Sequence, residues 1–155
     1  MVDRTGTGKP IGELLSPRSE CTVLAFNSGA AITAGRAVQI SASGQVSQVT
    51  ATITRGLNPP LGIAMNTVSA ASVRVEICCR GEIVAEAGGS ITVGDWVIAD
   101  IDGQVIAGSL GTAAGAVAVT ADADDPSVEG YTGIGICTRQ DGTSAAGDGI
   151  GVLVK

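Results

Sequence analysis

The sequence predicts an all-β chain: a small β-barrel or sandwich of short antiparallel strands, built from a duplicated hairpin module and preceded by an extended N-terminal arm. Three observations predict it. The first is internal repetition. Ile32-Thr33-Ala34-Gly35-Arg36-Ala37-Val38 returns 59 positions later as Ile91-Thr92-Val93-Gly94-Asp95-Trp96-Val97, and Gly44-Gln45-Val46 returns at the same spacing as Gly103-Gln104-Val105. The second is glycine, 23 of 155 residues. That is roughly twice the usual ~7%, and the glycines are spaced singly, as turn punctuation is. The third is a core with almost no rings: 45% of residues are hydrophobic but 2% aromatic, with one Phe, one Tyr and one Trp. Core volume must come from Val, Ile, Leu and Ala, which suits closely spaced β layers.

In chain order, residues 1–20 read as the arm. Gly6, Gly8, Pro10, Gly12 and Pro17 interrupt any regular element, while Arg4, Lys9 and Arg18 bring basic charge and Ile11, Leu14 and Leu15 some apolar character. Such a segment docks on a partner, trails as a tail, or tucks as a strand against its own domain. The β domain occupies 21–155, with repeats at about 29–87 and 88–155. Thr22 to Phe26 is a short strand ended by Asn27-Ser28-Gly29. The first hairpin runs through Ala37 to Ile40, turns at Ser43-Gly44 and returns from Gln45 to Thr50. The second turns at Asp102-Gly103 between Val97-Ile98-Ala99 and Val105-Ile106. Asp-Gly between apolar runs predicts a type I′ turn with φ positive at both central residues. Leu61 to Met65 aligns with Thr132 to Ile136, 71 positions on, and each repeat closes with an alternating segment, Val73 to Ile77 and Ile150 to Val154. The alternation of Val73, Val75, Ile77 and Cys79 against Arg74, Glu76, Cys78 and Arg80 predicts a half-buried strand. Gly81 permits a bend into Glu82 to Glu86. Residues 112–119 fit helix and strand equally, because Ala favours one and Val the other. Asp122 to Pro126 is a loop.

The chemistry-bearing residues are sparse. A formal charge of −6, a pI near 4.4 and nine basic residues disfavour nucleic acid, which requires clustered cations and stacking platforms. The segment Met1 to Pro10 has no apolar core and predicts no secretory leader, and no apolar run is long enough to predict a membrane span. Cys21, Cys78, Cys79 and Cys137 lack Cys-x-x-Cys spacing, and the chain has no histidine. Small hydrophobic packing for Cys79 and Cys137 is the favoured reading, and no metal or cofactor is expected. Gly6-Thr7-Gly8-Lys9 carries the end of a phosphate-loop pattern, but Asp3 stands where its first glycine belongs and Pro10 where its Ser or Thr belongs. Gly133-x-Gly135 lacks a third glycine and opens no helix, so it is read as strand packing. The acidic run Asp122, Asp124, Asp125 with Glu129 lacks EF-hand spacing and reads as a solvated loop. No histidine base stands beside the serines and cysteines, and no catalytic set is expected. Trp96, the lone tryptophan, occupies the position of Ala37 in the first repeat. It is either the plug of the second hairpin or an interface anchor.

The run Glu86 to Val97, followed by Asp102-Gly103-Gln104-Val105 and Gly133-Ile134-Gly135-Ile136, resembles the capsid cement or decoration proteins of tailed bacteriophages. Ala31 to Val38 and Leu61-Gly62-Ile63-Ala64 fit the same pattern, so the resemblance covers about 29–155. It implies a structural virion protein on the outer surface of an expanded capsid, made in the host cytoplasm, cementing neighbouring major capsid subunits against DNA pressure as a homotrimer. The arm then supplies capsid contacts through Arg4, Lys9, Ile11, Leu14, Leu15 and Arg18, and the hairpin turns are Gly44, Asp102 and Gly103. The alternatives are a phage head fibre, another β interaction module, or a hammerhead-like carrier domain. The carrier also uses Gly-Asp-x-Val turns, but this sequence presents no lysine at a hairpin tip to be loaded.

Overall fold

Nine strands and one short turn of 3-10 helix make up the regular structure of the computed structural model, which describes residues 8–49, 60–100, 102–108, 133–140 and 144–155. The strands are β1 (Thr22–Asn27), β2 (Ala37–Ile40), β3 (Val46–Gln48), β4 (Pro60–Ala64), β5 (Arg74–Glu86), β6 (Trp96–Ala99), β7 (Val105–Ala107), β8 (Gly133–Arg139) and β9 (Gly149–Val154). The 3-10 turn, Arg18–Glu20, follows Pro17. The expectations for Arg4, the segment 112–119 and the acidic run from Asp122 to Glu129 lie outside the described residues.

The strands run in the order β3-β2-β4-β5-β9-β8-β6-β7, with β1 also paired to β5, and every named pair is antiparallel. The sheet curls into a half-barrel, and the all-β prediction holds. The order reads as one arrangement used twice. Module 1 is β3-β2-β4 followed by the first half of β5, with β1 beside it. Module 2 is β7-β6-β8-β9, flanked by the second half of β5. The isolated parallel bridges Ser28↔Val46 and Ala87↔Val105 are counterparts 59 positions apart. One 13-residue strand is thus the end of the first module and the start of the second.

The register corrects one alignment. Val38 faces Gly62 and Val97 faces Gly135, so the counterpart of Gly62 is Gly135, 73 positions on. Gly133 faces Ile98 as Pro60 faces Gln39, across a bulge that both modules share. Pairing Gly62 with Gly133 is therefore two residues out. A two-residue slip keeps every side chain on its face, so alternation cannot detect it. Close approach fixes the register instead. A Cβ at Gly62 would strike the Cys78 carbonyl, and one at Gly135 the Leu153 carbonyl.

The hairpin tips also differ from expectation. Gly44 donates to the Ser41 carbonyl at 2.9 Å and Ser41 to that of Gln45 at 2.8 Å; Gly103 donates to Asp100 at 3.1 Å and Asp100 to Gln104 at 2.9 Å. Gly44 (φ 78°) and Gly103 (φ 75°) have positive φ, and Asp102 does not. These are three-residue loops closed by a left-handed glycine, not a two-residue type I′ turn. The Asp100 carboxylate explains the longer loop at the second tip, because it accepts from the Asp102 and Gln104 amides at 2.9 and 3.0 Å and starts the turn early.

Module 1 packs Ile32, Val38, Val46, Ala64, Val75 and Ile77 on its inner face. The counterparts in module 2, Ile91, Val97, Val105, Cys137, Ile150 and Val152, belong to a larger cluster that also takes in Ala37, Val49, Ile63 and Cys78 from module 1. Of those four, Cys78 lies on the face of β5 that the alternation from Val73 to Arg80 predicts to be exposed. Cys78 is instead buried, whereas Cys79 is half-buried. Module 2 covers the second face, which is why the strand is not half-buried there.

Candidate functional site

The joint between the modules is polar at its rim. Ala37 donates its amide to the Gly103 carbonyl at 2.7 Å, Gln48 Nε2 donates to the Asp102 carbonyl at 2.7 Å, and the Glu86 amide donates to the Gly35 carbonyl at 2.9 Å. Arg36 grips Glu86 with two hydrogen bonds, 2.9 and 3.1 Å, and Gln104 Nε2 adds a third at 2.7 Å. The Arg36 hydrogen bond holds the Glu86 carboxyl below its ordinary pKa, and the same bond raises that of Arg36. This fork-to-carboxylate geometry suits a shielded pair, with 23% and 13% of the two side chains exposed.

The described part of the arm lies on the chain's own sheet. Gly12 donates to Val84 at 2.8 Å, Val84 to Glu13 at 2.9 Å and Leu15 to Glu82 at 2.8 Å, with Leu14 bridging Ile83. Ile11 fills the space that a side chain at Gly35 would need. Leu14 packs on the larger core cluster, and Leu15 reaches Gly151. Of the three arrangements open to this segment, residues 11–15 adopt the one tucked against their own domain, held to β5 by an isolated bridge rather than as a full strand. The apolar side chains are half-buried because β5 offers an edge within reach. Gly12 also approaches Ala34 and Met65, so the segment straps module 1 to module 2.

Lys9, Leu14 and Arg18 come together along an open groove of about 420 Å³, with Glu13, Asn66 and Glu76 on its walls. Ile11 and Leu15 do not line it. Lys9 Nζ donates to the Leu14 carbonyl at 2.6 Å, and Arg18 pairs with Glu76 at 3.1 Å. The charge of Arg18 is thus partly answered within the chain. Arg4 lies outside the described residues, while Gly44, Asp102 and Gly103 form the tips already described.

The cysteines are free thiols. Burial pushes the Cys78 thiol up to about 12, and burial also raises those of Cys79 and Cys137. Thiols shifted this way are poor nucleophiles. Among the described residues no three His, Cys, Asp or Glu side chains are grouped to hold a metal ion. Trp96 is not a core plug: it is 41% exposed, with Lys155 Nζ 5.7 Å from the ring centroid. Sequence reasoning missed the Arg36–Glu86–Gln104 cluster, because its members lie far apart in the chain. The equivalence of Arg36 with Asp95 was the available signal, since a charge reversal between repeats marks a position where the repeats have different neighbours.

The fold is similar to that of a phage head fibre. The match is to the crystal structure of the head fiber gp8.5 N base of bacteriophage phi29, with a TM-score of 0.58 and 14% sequence identity, covering 86% of this chain and 95% of that one. At that identity the likeness speaks for the fold. Neither a family model nor a curated protein matches the sequence.

Proposed function

We propose that the chain is a structural, non-enzymatic protein of a phage head, bound to the outer face of the capsid as a homotrimer whose partner is the major capsid protein. The observation that carries this reading is the agreement of two independent likenesses. The repeat motifs resemble those of capsid cement proteins, and the fold extends over nearly the whole of a head fibre base. The architecture suits the role. Rigid β modules and a strapped arm supply contact area. The acidic charge disfavours packaged DNA as a ligand. Attachment that requires the assembled lattice stabilises that lattice by mass action.

In the cement reading, the exposed groove residues Lys9 and Arg18 face neighbouring capsid subunits and hold them together. The head fibre likeness favours a second reading, in which the chain is the base of an appendage. Purified protein mixed with expanded heads of the parent virus separates the two. Threefold density on the outer surface is expected in electron micrographs, and its absence refutes the capsid role. A cement raises the temperature at which heads release DNA, whereas a fibre base binds without that effect.

A further inference from the structure

The two modules meet through unlike surfaces, and each leaves the complementary surface open. At the joint, module 1 presents Ala37, Ile63 and Cys78, all fully buried. Their counterparts on module 2 are Trp96, Ile136 and Leu153, which lie in one row across β6, β8 and β9. Trp96 is 41% exposed and the other two are half-buried. From the other side of the joint, module 2 presents Ile83, Ala85, Ala99 and the Gly103 tip, with the three side chains fully buried. Their counterparts on module 1 are Leu24, Phe26, Ile40 and the Gly44 tip. Leu24 is 44% and Ile40 38% exposed. A Cβ at Gly103 would meet Gln48 and Ala37, whereas one at Gly44 would meet nothing. Gly35 is closed over by Ile11 and Glu86, and its counterpart Gly94 is open.

We infer that protomers associate head to tail through a repetition of the intrachain joint: the Trp96–Ile136–Leu153 row of one chain seats on the Leu24–Phe26–Ile40 face and the Ser43-Gly44 tip of the next. The occupant is a second copy of this chain because both halves of the contact are already on it. Four of the five large hydrophobic side chains exposed among the described residues, Leu24, Ile40, Val93 and Trp96, belong to these two halves. Val93 corresponds to Ala34, which the arm approaches in the intrachain joint. The repeated joint is not identical. Asp95 and Asn27 stand where Arg36 and Glu86 pair, so it lacks the ion pair of the rim. It is accordingly reversible and concentration-dependent, and its apolar side chains are larger, with Trp96, Phe26 and Ile40 standing where the intrachain joint has Ala37, Ala85 and Ala99. Contacts between unlike surfaces close into a ring or run on as a filament according to the rotation between neighbours. This inference deepens the trimer of the proposed function, but rests on the intrachain joint and not on the capsid.

Trp96 is the only tryptophan, so its emission reports one half of the contact without labelling. The wild-type emission is expected to shift to the blue as concentration rises, together with growth in sedimenting mass. Leu24→Glu alters the opposite half, on the other module, and Trp96→Glu removes the fluorophore with its half. Each variant alone is expected to sediment as a monomer, with circular dichroism confirming the fold. Mixed, they restore one joint: Trp96 of the Leu24→Glu protein meets the intact Leu24 face of the Trp96→Glu protein. The blue shift then returns with a species of two chains. A wild type that stays monomeric, with unshifted emission at high concentration, overturns the inference. So does a wild type that associates while the mixed variants do not, because that pattern marks a like-with-like contact. A ring of other than three chains, or a filament, leaves the joint standing and removes the trimer from the capsid reading.

Discussion

Gly44 and Gly103 form an internal control for the joint. Both close the same loop with nearly the same φ, 78° and 75°, but only Gly103 touches the other module. Alanine at either position costs the left-handed backbone term, about 1 kcal/mol. At Gly44 nothing more is lost, because its Cβ enters open space. At Gly103 the methyl would lie 2.8 Å from Gln48 Cγ and 2.9 Å from the Ala37 carbonyl oxygen. That oxygen accepts from the Val49 amide at 3.0 Å, so it cannot simply withdraw. The tip must lift, which strains the Ala37-to-Gly103 and Gln48-to-Asp102 hydrogen bonds. Overpacking costs about 1–3 kcal/mol and a weakened backbone hydrogen bond roughly 0.5–1.5. Gly103→Ala therefore loses about 2.5–5.5 kcal/mol in all. For a chain of this size that corresponds to roughly 5–22 °C in Tm, against about 2–4 °C for Gly44→Ala. Scanning calorimetry on dilute, monomeric protein measures both. Equal shifts for the two variants would refute the claim that the second tip bears on module 1.

Glu86→Gln should cost about 1.5–3 kcal/mol at neutral pH by urea denaturation, since it weakens a charge-assisted pair. The wild-type Glu86 contribution is complete above the ordinary carboxylate range and is lost as pH falls through its depressed folded-state value. The variant should therefore show a flatter loss of stability towards acid, and an unchanged acid slope would count against the pairing. A chain beginning at Cys21 should unfold about 1–3 kcal/mol more easily, because it loses the half-buried Ile11, Leu14 and Leu15 and the bonds to β5. A thermal midpoint within a degree or so of the full chain would show that the strap contributes nothing. Native-state titration with a thiol reagent should reach Cys21 and Cys79 well before the buried Cys78 and Cys137. Equal rates for all four would contradict the assigned burial.

The class of fold was legible because glycine spacing, β-branched content and the 59-residue echo all point the same way. The tips were legible in position and not in type. A turn residue such as Gly103 is a local signal, but the loop length was decided by the Asp100 carboxylate, two residues outside the dipeptide. The two-residue slip that matched Gly62 to Gly133 instead of Gly135 was invisible because side-chain alternation has a period of two. Trp96 and Cys78 illustrate the larger difficulty. Each lies on a face that is buried in one module and open in the other, so its environment depends on which neighbour the module has. No pattern within a single repeat encodes that. The arm offered the same kind of choice: Ile11, Leu14 and Leu15 announce that something is covered, and only the free edge of β5 says what.

A duplicated protein usually has a seam where it can be cut, and this one has none. The strand from Arg74 to Glu86 passes from one module into the other without a linker. Division at Gly88-Gly89 would strip module 2 of the strand that pairs with β9 and leave module 1 trailing an unmatched edge from Gly81 to Glu86. Such an edge is a template for aggregation. The two halves should therefore melt in one transition rather than in succession, and neither should fold when expressed alone. Evolution of such a chain is constrained in the same way. Insertions can accumulate between strands, but a single residue added within β5 would turn one module inside out relative to the other.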